Sequence, residues 1–207
     1  ATTAVAIVAP GKGILAIDES GGTIKKRFDS ISLESTMENR RAYRDLLITA
    51  NGLPEFISGM ILYDETIKQA AKDGTPFPAV LKKNGILAGI KVDTGAKALA
   101  GTADELVTEG LDGLRERLVE YKKLGASFAK WRAVITIGKD IPSDYCIAAN
   151  AHALSRYAAL CQEAGIVPRV LVAHPRIAET DDGLAHGALF LGVRFLALWL
   201  LGVALLG

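Results

Sequence analysis

The sequence predicts an α/β protein in which about five parallel strands form a sheet and helices cover its outer face. Short apolar runs alternate along the chain with stretches whose apolar residues recur at helical spacing. That alternation is typical of parallel sheets with helical crossovers. Charged residues recur at the ends of the apolar runs, and the C-terminal ends of parallel strands are where such folds build their sites. Both observations predict one parallel α/β unit with a polar site at one end of its sheet.

Five apolar runs are the expected strands. Right-handed crossovers connect parallel strands in nearly every known case, so we expect the strands to pair as parallel neighbours in chain order. The runs lie near residues 13–18, 57–63, 88–93, 128–136 and 166–172.

The first predicted helix covers residues 34–50. Ser35 and Glu38 have the spacing of a capping box, in which each side chain bonds the backbone amide of the other residue. Helical spacing then predicts one apolar face. That face consists of Tyr43, Leu46, Leu47 and Ala50.

Two further helices are predicted downstream. Residues 109–125 carry an apolar stripe and end at Gly125, which suits the left-handed position just after a helix. The stripe consists of Leu111, Leu114, Leu118 and Tyr121. Residues 143–165 form the longest predicted helix, with Ser143 as its cap and Gly165 as its stop.

Composition bears on partners and on the cell compartment. The formal net charge of +1 and the 6% aromatic content disfavour a nucleic-acid binder. Cys146 and Cys161 lie in one predicted helix, about 22 Å apart at the helical rise, so they cannot form a disulfide with each other. No signal peptide is evident, and we expect a cytoplasmic protein. The three histidines show no metal-ligand spacing, so we expect no metal.

The segment "FAKWRAV" (128–134) places two cations on one face of a buried strand. Alternation puts Lys130 and Arg132 on the same side as Phe128 and Val134. The opposite side consists of Ser127, Ala129, Trp131 and Ala133. Because removing a charge from water is costly, two buried cations predict an anionic partner or ligand.

The strand ends supply the groups that can carry chemistry. They are Asp18, Lys91 with Asp93, and Lys130 with Arg132. Clustered cations can bind phosphate, and a lysine crowded by other cations can act as a neutral nucleophile in Schiff-base formation. A nearby carboxylate can transfer a proton. From the pattern alone, simple salt bridges at the strand ends remain the alternative.

The stretch "ESGGTIKKR" (19–27) follows the first strand. Its backbone amides and Arg27 fit an anion-binding loop. A solvated, charged turn explains the same pattern equally well.

The chain changes character near its C-terminal end. Residues 178–207 form a divergent Leu- and Gly-rich tail, distinct from the unit formed by residues 1–177. We expect a helix over much of 184–204 that packs against the rest of the protein. Its apolar face consists of Leu189, Val193, Leu196 and Leu200. A membrane span is the alternative, which Arg194 and the glycines disfavour.

Several motifs together resemble class I fructose-bisphosphate aldolase. The match runs from about Ile7 to Pro168, with the motifs in the family's order and spacing. The motifs include "LAIDES", "ENRRAYRDLLITA", "GIKVDTGAKALAGT" and "GASFAKWRAV". The resemblance implies part of a TIM (β/α)8-type barrel, of which residues 1–177 form the N-terminal portion.

The resemblance also implies an activity. That activity is the reversible cleavage of fructose 1,6-bisphosphate into dihydroxyacetone phosphate and glyceraldehyde 3-phosphate in glycolysis and gluconeogenesis. A protonated Schiff base serves as the electron sink in this family, so neither a metal nor another cofactor is implied. Full-length relatives are implied to be homo-oligomers.

The resemblance assigns roles to six residues. Asp18 would be the acid/base carboxylate, Lys91 would help build the charged site, and Lys130 would lie beside the Schiff-base lysine and contact substrate. The residues implied to contact phosphate or substrate are Arg27, Arg40 and Arg132.

The sequence departs from the family after Pro168. The family continues with a strand that ends in Glu-Pro-Glu and later with a Leu-Lys-Pro motif that carries the Schiff-base lysine, and neither motif occurs here. We therefore expect a truncated, frame-shifted or divergent chain with little or no aldolase activity. The alternative is a non-catalytic remnant that binds phosphosugars or pairs with another subunit.

Overall fold

The computed structural model of this protein describes residues 2–173 and contains eight helices and seven strands in that range. The helices are α1 (Thr2–Ile7), α2 (Gly21–Asp29), α3 (Met37–Ile48), α4 (Leu53–Phe56), α5 (Asp64–Ile67), α6 (Phe77–Lys83), α7 (Leu114–Lys123) and α8 (Asp144–Glu163). The strands are β1 (Gly13–Ala16), β2 (Ile57–Leu62), β3 (Leu87–Lys91), β4 (Gly95–Ala98), β5 (Leu106–Glu109), β6 (Phe128–Val134) and β7 (Val167–Ala173).

The main sheet confirms the predicted fold class. Its five strands follow the order β1-β2-β3-β6-β7, and every neighbouring pair is parallel. These are the five predicted strands in the predicted order. A parallel sheet with helices packed against one face is the arrangement expected for part of a (β/α)8-type barrel.

Side-chain alternation along the strands separates two cores. On the outer face, Trp131 and Ala129 of β6 join a large cluster with residues of helices α6, α7 and α8, among them Tyr157 and Leu118. On the inner face, Phe128 packs with Ile61 and Ile7 in a smaller cluster. The two faces of β6 therefore divide as the alternation predicts.

The inner core depends on two glycines. Phe128 is fully buried, and its ring lies over Gly59 of β2 and Gly89 of β3. A Cβ at Gly59 would be 3.0 Å from Phe128 Cε1, which is already tighter than ordinary contact. Because glycine has no Cβ, these two positions leave the space that the Phe128 ring fills.

Tyr157 of α8 bridges two strands of the sheet from its outer side. Its hydroxyl donates to the carbonyl oxygen of Ala129 at 2.8 Å and accepts from the backbone N–H of Arg169 at 3.1 Å. Burial raises the pKa of Tyr157 well above its usual value, so the hydroxyl keeps its proton. This bridge fixes β7 against β6 at the level of Arg169.

Replacing Tyr157 by phenylalanine is expected to lower the free energy of unfolding by about 1–3 kcal/mol, because two buried backbone groups lose their partner. Urea denaturation followed by circular dichroism measures this change. Tyr145→Phe is the control, since Tyr145 lies on the same helix with 55% of its surface exposed. Equal stability of the Tyr157 variant and the wild type would contradict the bridging role.

A β-hairpin between β3 and α7 was not predicted from the sequence. Strands β4 and β5 pair antiparallel, and Glu105, the residue just before β5, accepts hydrogen bonds from the Ser143 backbone N–H and hydroxyl, both at 2.6 Å. These hydrogen bonds lower the pKa of Glu105. Both strands have only four residues, and β4 consists of Gly-Ala-Lys-Ala, so the β signal is weak and the hairpin depends on tertiary contacts.

The predicted cap of α3 is wrong, and its predicted face is correct only in part, because Tyr43 and Leu47 are half-buried while Leu46 and Ala50 are exposed. Thr36 caps the helix by accepting from the Asn39 backbone N–H, so Ser35 and Glu38 do not form the capping box. The buried residues of α3 are Arg44 and Ile48, whereas Leu46 is 71% exposed. The tertiary contacts of the helix determine which face is buried, and here that face carries Arg44, which forms a salt bridge with Glu19.

Most of the stretch over 19–27 lies in helix α2 and is not a charged turn; only Glu19 and Ser20 precede the helix. Ser20 caps α2 by accepting from the Thr23 backbone N–H, and Ile24 and Phe28 are its buried residues. Residues that alternate between exposed cations and buried apolar groups therefore form an amphipathic helix just after β1.

The downstream helices agree better with their sequence patterns. Leu114, Leu118 and Tyr121 are the buried residues of α7, although the helix begins at Leu114 because β5 and a turn precede it. Ser143 caps α8 by accepting from the Cys146 backbone N–H, as predicted. Gly125 and Gly165 adopt positive φ angles after the two helices.

Two predictions about the C-terminal part lie outside the described residues. These are the boundary between residues 177 and 178 and the helix over 184–204. Within residues 2–173, no helix combines the length and the apolar character that crossing a membrane requires.

Candidate functional site on the inner face of the sheet

Three cations lie side by side on the inner face of the sheet. Lys91 of β3 is in register with Lys130 of β6, and Lys130 is in register with Arg169 of β7. Paired residues of parallel strands point to the same face, and Val167, two residues before Arg169, packs in the inner core with Phe128. We call this set the cation row; Arg169 was not among the site residues predicted from the sequence.

Lys130 forms a buried ion pair with Asp18. The Lys130 Nζ lies 2.6 Å from Asp18 Oδ2, and the two side chains are 10% and 8% exposed. Asp18 follows β1, so the pair joins the first strand to the fourth strand of the sheet across the inner face. The other carboxylate oxygen, Oδ1, has no hydrogen-bond partner within residues 2–173.

Lys91 is held by Asp93, two residues further along the chain. The Lys91 Nζ donates to Asp93 Oδ1 at 2.7 Å and to the Asp93 carbonyl oxygen at 2.6 Å. Asp93 Oδ1 also accepts from the Gly95 backbone N–H, and Oδ2 accepts from the Arg132 backbone N–H. Asp93 thus connects the end of β3 to the hairpin and to β6.

Arg132 lies on the same face, two residues beyond Lys130 along β6. Its backbone groups bond to Asp93 and Thr108, but no carboxylate of the described residues lies within salt-bridge distance of its guanidinium. The same holds for the guanidinium of Arg169, and both side chains are half-buried. Two of the four inner cations are therefore paired within the described residues, and two are not.

A second polar site lies at the C-terminal ends of β1 and β2. A cavity of about 190 Å³ is lined by Glu19, Gly21, Arg40, Arg44, Tyr63 and Glu65. Arg40 binds Glu65 through two hydrogen bonds of 2.8 and 2.6 Å. These bonds lower the pKa of Glu65 and raise that of Arg40. The structure therefore places Arg40 in this cavity, and its assignment to substrate contact stays a prediction.

Arg44 is a buried residue that sequence reasoning did not identify. Its guanidinium donates to the carbonyl oxygens of Ile17 at 2.9 Å and Glu19 at 3.0 Å and pairs with the Glu19 carboxylate. Burial lowers the pKa of Arg44 despite that carboxylate. Its spacing of four residues from both Arg40 and Ile48 was the available signal, because such residues share one helical face.

Arg27 lies on helix α2, outside the cation row. Its side chain is 56% exposed and pairs with Glu19, with a further hydrogen bond to the Tyr43 hydroxyl at 3.2 Å. The structure thus brings Asp18, Lys91, Lys130 and Arg132 to one face. It places Arg27 and Arg40 on neighbouring helices.

The cationic side chains of the inner face can bind an anion, and the Oδ1 atom of Asp18 is available for proton transfer. The Nζ atoms of Lys91 and Lys130 are each held by a carboxylate, at 2.7 Å by Asp93 and at 2.6 Å by Asp18, so neither is free to attack a carbonyl. The inner face of β7 carries Val167, Arg169, Leu171 and Ala173, so this strand supplies no carboxylate there. Among residues 2–173, no three His, Cys, Asp or Glu side chains are grouped to hold a metal ion.

Taken together, the fold and the site define a protein of the (β/α)-barrel class. Its charged groups lie on the inner face of the sheet, at the C-terminal ends of the strands. The family profile described as "Glycolytic: Fructose-bisphosphate aldolase class-I" matches residues 1–182. This chain belongs to that family, as its motifs predict.

Curated relatives agree with the family match. A protein of Xanthomonas campestris named "Probable fructose-bisphosphate aldolase class 1" is 66% identical over 170 residues, which cover 82% of this chain and 51% of the relative. The "Fructose-bisphosphate aldolase" of Dictyostelium discoideum is 58% identical over 171 residues, covering 81% of this chain and 48% of the relative. The chain therefore spans about half the length of these relatives.

A solved structure has the same fold over the matched region. It is the fructose-bisphosphate aldolase of Plasmodium falciparum, described in complex with TRAP and a small-molecule inhibitor. The TM-score is 0.79 at 50% sequence identity, and the match covers 83% of this chain and 50% of that chain. The five-stranded sheet thus corresponds to part of an aldolase barrel.

Proposed function

We propose that this chain provides the phosphosugar-binding side of a fructose-bisphosphate aldolase site. In this proposal its 207 residues bind fructose 1,6-bisphosphate and triose phosphates but do not cleave the sugar on their own. The single observation that supports this most strongly is the buried pair of Lys130 and Asp18 beside Lys91 on the inner face. Burying an ion pair is costly unless further hydrogen bonds satisfy its remaining lone pairs, and here one carboxylate oxygen has no partner among the described residues.

Each inner residue has a distinct proposed role. Lys91 and Arg132 attract the phosphate groups, with the guanidinium offering a planar fork and the ammonium a point charge. Lys130 orients the Asp18 carboxylate through the 2.6 Å contact and leaves Oδ1 to exchange a proton with a substrate hydroxyl. Arg27 and Arg40 are proposed to contact phosphate from helices α2 and α3.

The covalent step needs a different lysine. Schiff-base formation requires an uncharged amine within bonding reach of the substrate carbonyl. Both inner lysines of the described part are engaged with carboxylates, and the 207 residues contain no Leu-Lys-Pro motif. A cytoplasmic location and a homo-oligomeric state of full-length relatives belong to the same proposal, on the strength of the family alone.

Lys91→Gln is expected to weaken the binding of fructose 1,6-bisphosphate by roughly tenfold, since a charge-assisted contact is lost. Isothermal titration calorimetry of the 207-residue protein measures the affinity, with unphosphorylated fructose as the comparison ligand. Lys123→Gln is the matched control, because Lys123 is an exposed lysine on α7. Equal affinities for fructose and fructose 1,6-bisphosphate would refute the proposed function.

Trapping tests the second half of the proposal. Borohydride reduction with dihydroxyacetone phosphate, followed by mass spectrometry, is expected to leave the protein unmodified. A full-length relative serves as the positive control. Stoichiometric trapping on a lysine of this chain would show that it carries out the covalent step.

A further inference from the structure

Arg169 occupies a position in the cation row that neither the motifs nor the proposed function explain. It lies opposite Lys130 on the inner face, at the usual strand spacing of about 4.8 Å. Like charges directly opposite each other on neighbouring strands are destabilising. Lys130 is neutralised by Asp18, whereas Arg169 has no carboxylate partner among residues 2–173.

The backbone at Arg169 is held in place. Its N–H donates to the buried hydroxyl of Tyr157, which also bonds to Ala129 of β6. Pro168, the preceding residue, has a fixed φ angle and no N–H to donate. The Cα atom of Arg169, from which the side chain extends on the inner face, is therefore held in a fixed position.

Arg169 and Arg132 are diagonal neighbours on that face. Arg132 is two residues beyond Lys130, the register partner of Arg169, so the spacing between strands and the rise along a strand separate the Cα atoms of the two residues by roughly 8 Å, within the reach of long side chains. Both residues are half-buried, and neither guanidinium has a carboxylate partner in the described part of the chain. Two such forks can surround a tetrahedral oxyanion with parallel N–H donors.

We infer that Arg132 and Arg169 together form an oxyanion site on the inner face that takes a phosphate group, either as a free ion or as part of a phosphate ester. The inference deepens the proposed function, because Arg132 belongs to both sites. It rests on the proposed function only for the identity of the phosphosugar that carries the phosphate group. It does not require that the chain cleave or even prefer a phosphosugar, since inorganic phosphate alone suffices to occupy the site.

The test uses inorganic phosphate and the 207-residue protein. Arg169→Leu is expected to weaken phosphate binding by roughly tenfold, and Arg169→Lys by less, because lysine keeps the charge but loses the planar fork. Arg156→Leu, which removes an exposed arginine of α8, is expected to leave the affinity unchanged. Unchanged binding by Arg169→Leu, or equal losses in the Arg169 and Arg156 variants, would overturn the inference.

A second measurement does not depend on how well the variants fold. In the wild type, the side-chain Nε–H signals of Arg132 and Arg169 are expected to shift together in NMR spectra as phosphate is added, with one common affinity. Absence of a shift at Arg169 would overturn the inference.

Fructose 1,6-bisphosphate separates this inference from the proposed function. If sugar-phosphate binding depends on Lys91 but not on Arg169, the proposed function holds and the arginine pair is refuted. If Arg169 binds inorganic phosphate but the protein does not distinguish fructose 1,6-bisphosphate from fructose, the arginine pair holds and the proposed function is refuted.

Discussion

Replacing Lys130 by methionine is expected to lower the free energy of unfolding by about 3–5 kcal/mol. The substitution keeps most of the side-chain stem but leaves the carboxylate of Asp18 buried without its cation. Because the pair joins residues 112 positions apart, its loss also removes a contact between β6 and the end of β1. Urea denaturation of the wild type and the variant at the same temperature measures the difference.

A double-mutant cycle distinguishes the ion pair from simple packing. Asp18→Asn is also expected to be destabilising, since it leaves the ammonium of Lys130 unpaired. The double variant with Lys130→Met and Asp18→Asn is expected to be more stable than either single variant, because no uncompensated charge remains. Additive losses in the double variant would contradict the coupling.

An exposed pair provides the control for this cycle. Lys25 and Asp29 of α2 form an ion pair whose side chains are 62% and 54% exposed. Lys25→Met is expected to change the free energy of unfolding by only about 0.3–0.5 kcal/mol. A comparable effect at Lys25 and Lys130 would mean that burial does not govern the strength of these pairs.

Gly89→Ala is expected to destabilise the protein by about 3 kcal/mol, at the upper end of what overpacking usually costs. The added Cβ would lie within 2.7 Å of Phe128 Cε1 and closer still to two other atoms of the same ring. Phe128 cannot move away easily, because it is fully buried between neighbouring strands. Thermal or urea denaturation measures the loss.

A size-compensating change tests the cause of that loss. In a Phe128→Leu background, which has a smaller inner side chain, Gly89→Ala is expected to cost less than about 1 kcal/mol. Gly13→Ala is the matched control on β1, since a Cβ there meets nothing within 4 Å. Equal losses at Gly89 in the two backgrounds would rule out the clash with Phe128.

Much of the fold follows from local patterns in the sequence. The five strands were predicted because each apolar run is bounded by turn signals and separated from the next by a helical stretch. That Lys130 and Arg132 share one face of the strand was predicted because successive side chains of a strand alternate between the two faces. Residues such as Ser143 and Gly165 also mark their helix ends correctly, because capping and left-handed geometry act within a few residues.

Other features could not be obtained from local patterns. Two adjacent candidates, Ser35 and Thr36, can both cap α3; Thr36 accepts from the Asn39 backbone N–H, whereas the carbonyl and hydroxyl oxygens of Ser35 accept from the Arg40 guanidinium. The exposure of Leu46 and the burial of Arg44 follow from carbonyl groups beyond β1 that accept hydrogen bonds from Arg44. The hairpin of β4 and β5 is anchored by Glu105 to the start of α8, far along the chain.

The sequence by itself determined the parallel α/β architecture, the family, and the common face of Lys130 and Arg132. Backbone geometry sets the side-chain period at 2 residues in strands and 3.6 residues in helices, whatever the position of the segment in the fold. Only the tertiary structure decided that Asp18 pairs with Lys130, that Asp93 holds Lys91, and that Arg169 completes the cation row. The interaction partners of these side chains are set by strand register and by contacts between distant segments. Neither can be read from the spacing of neighbouring residues.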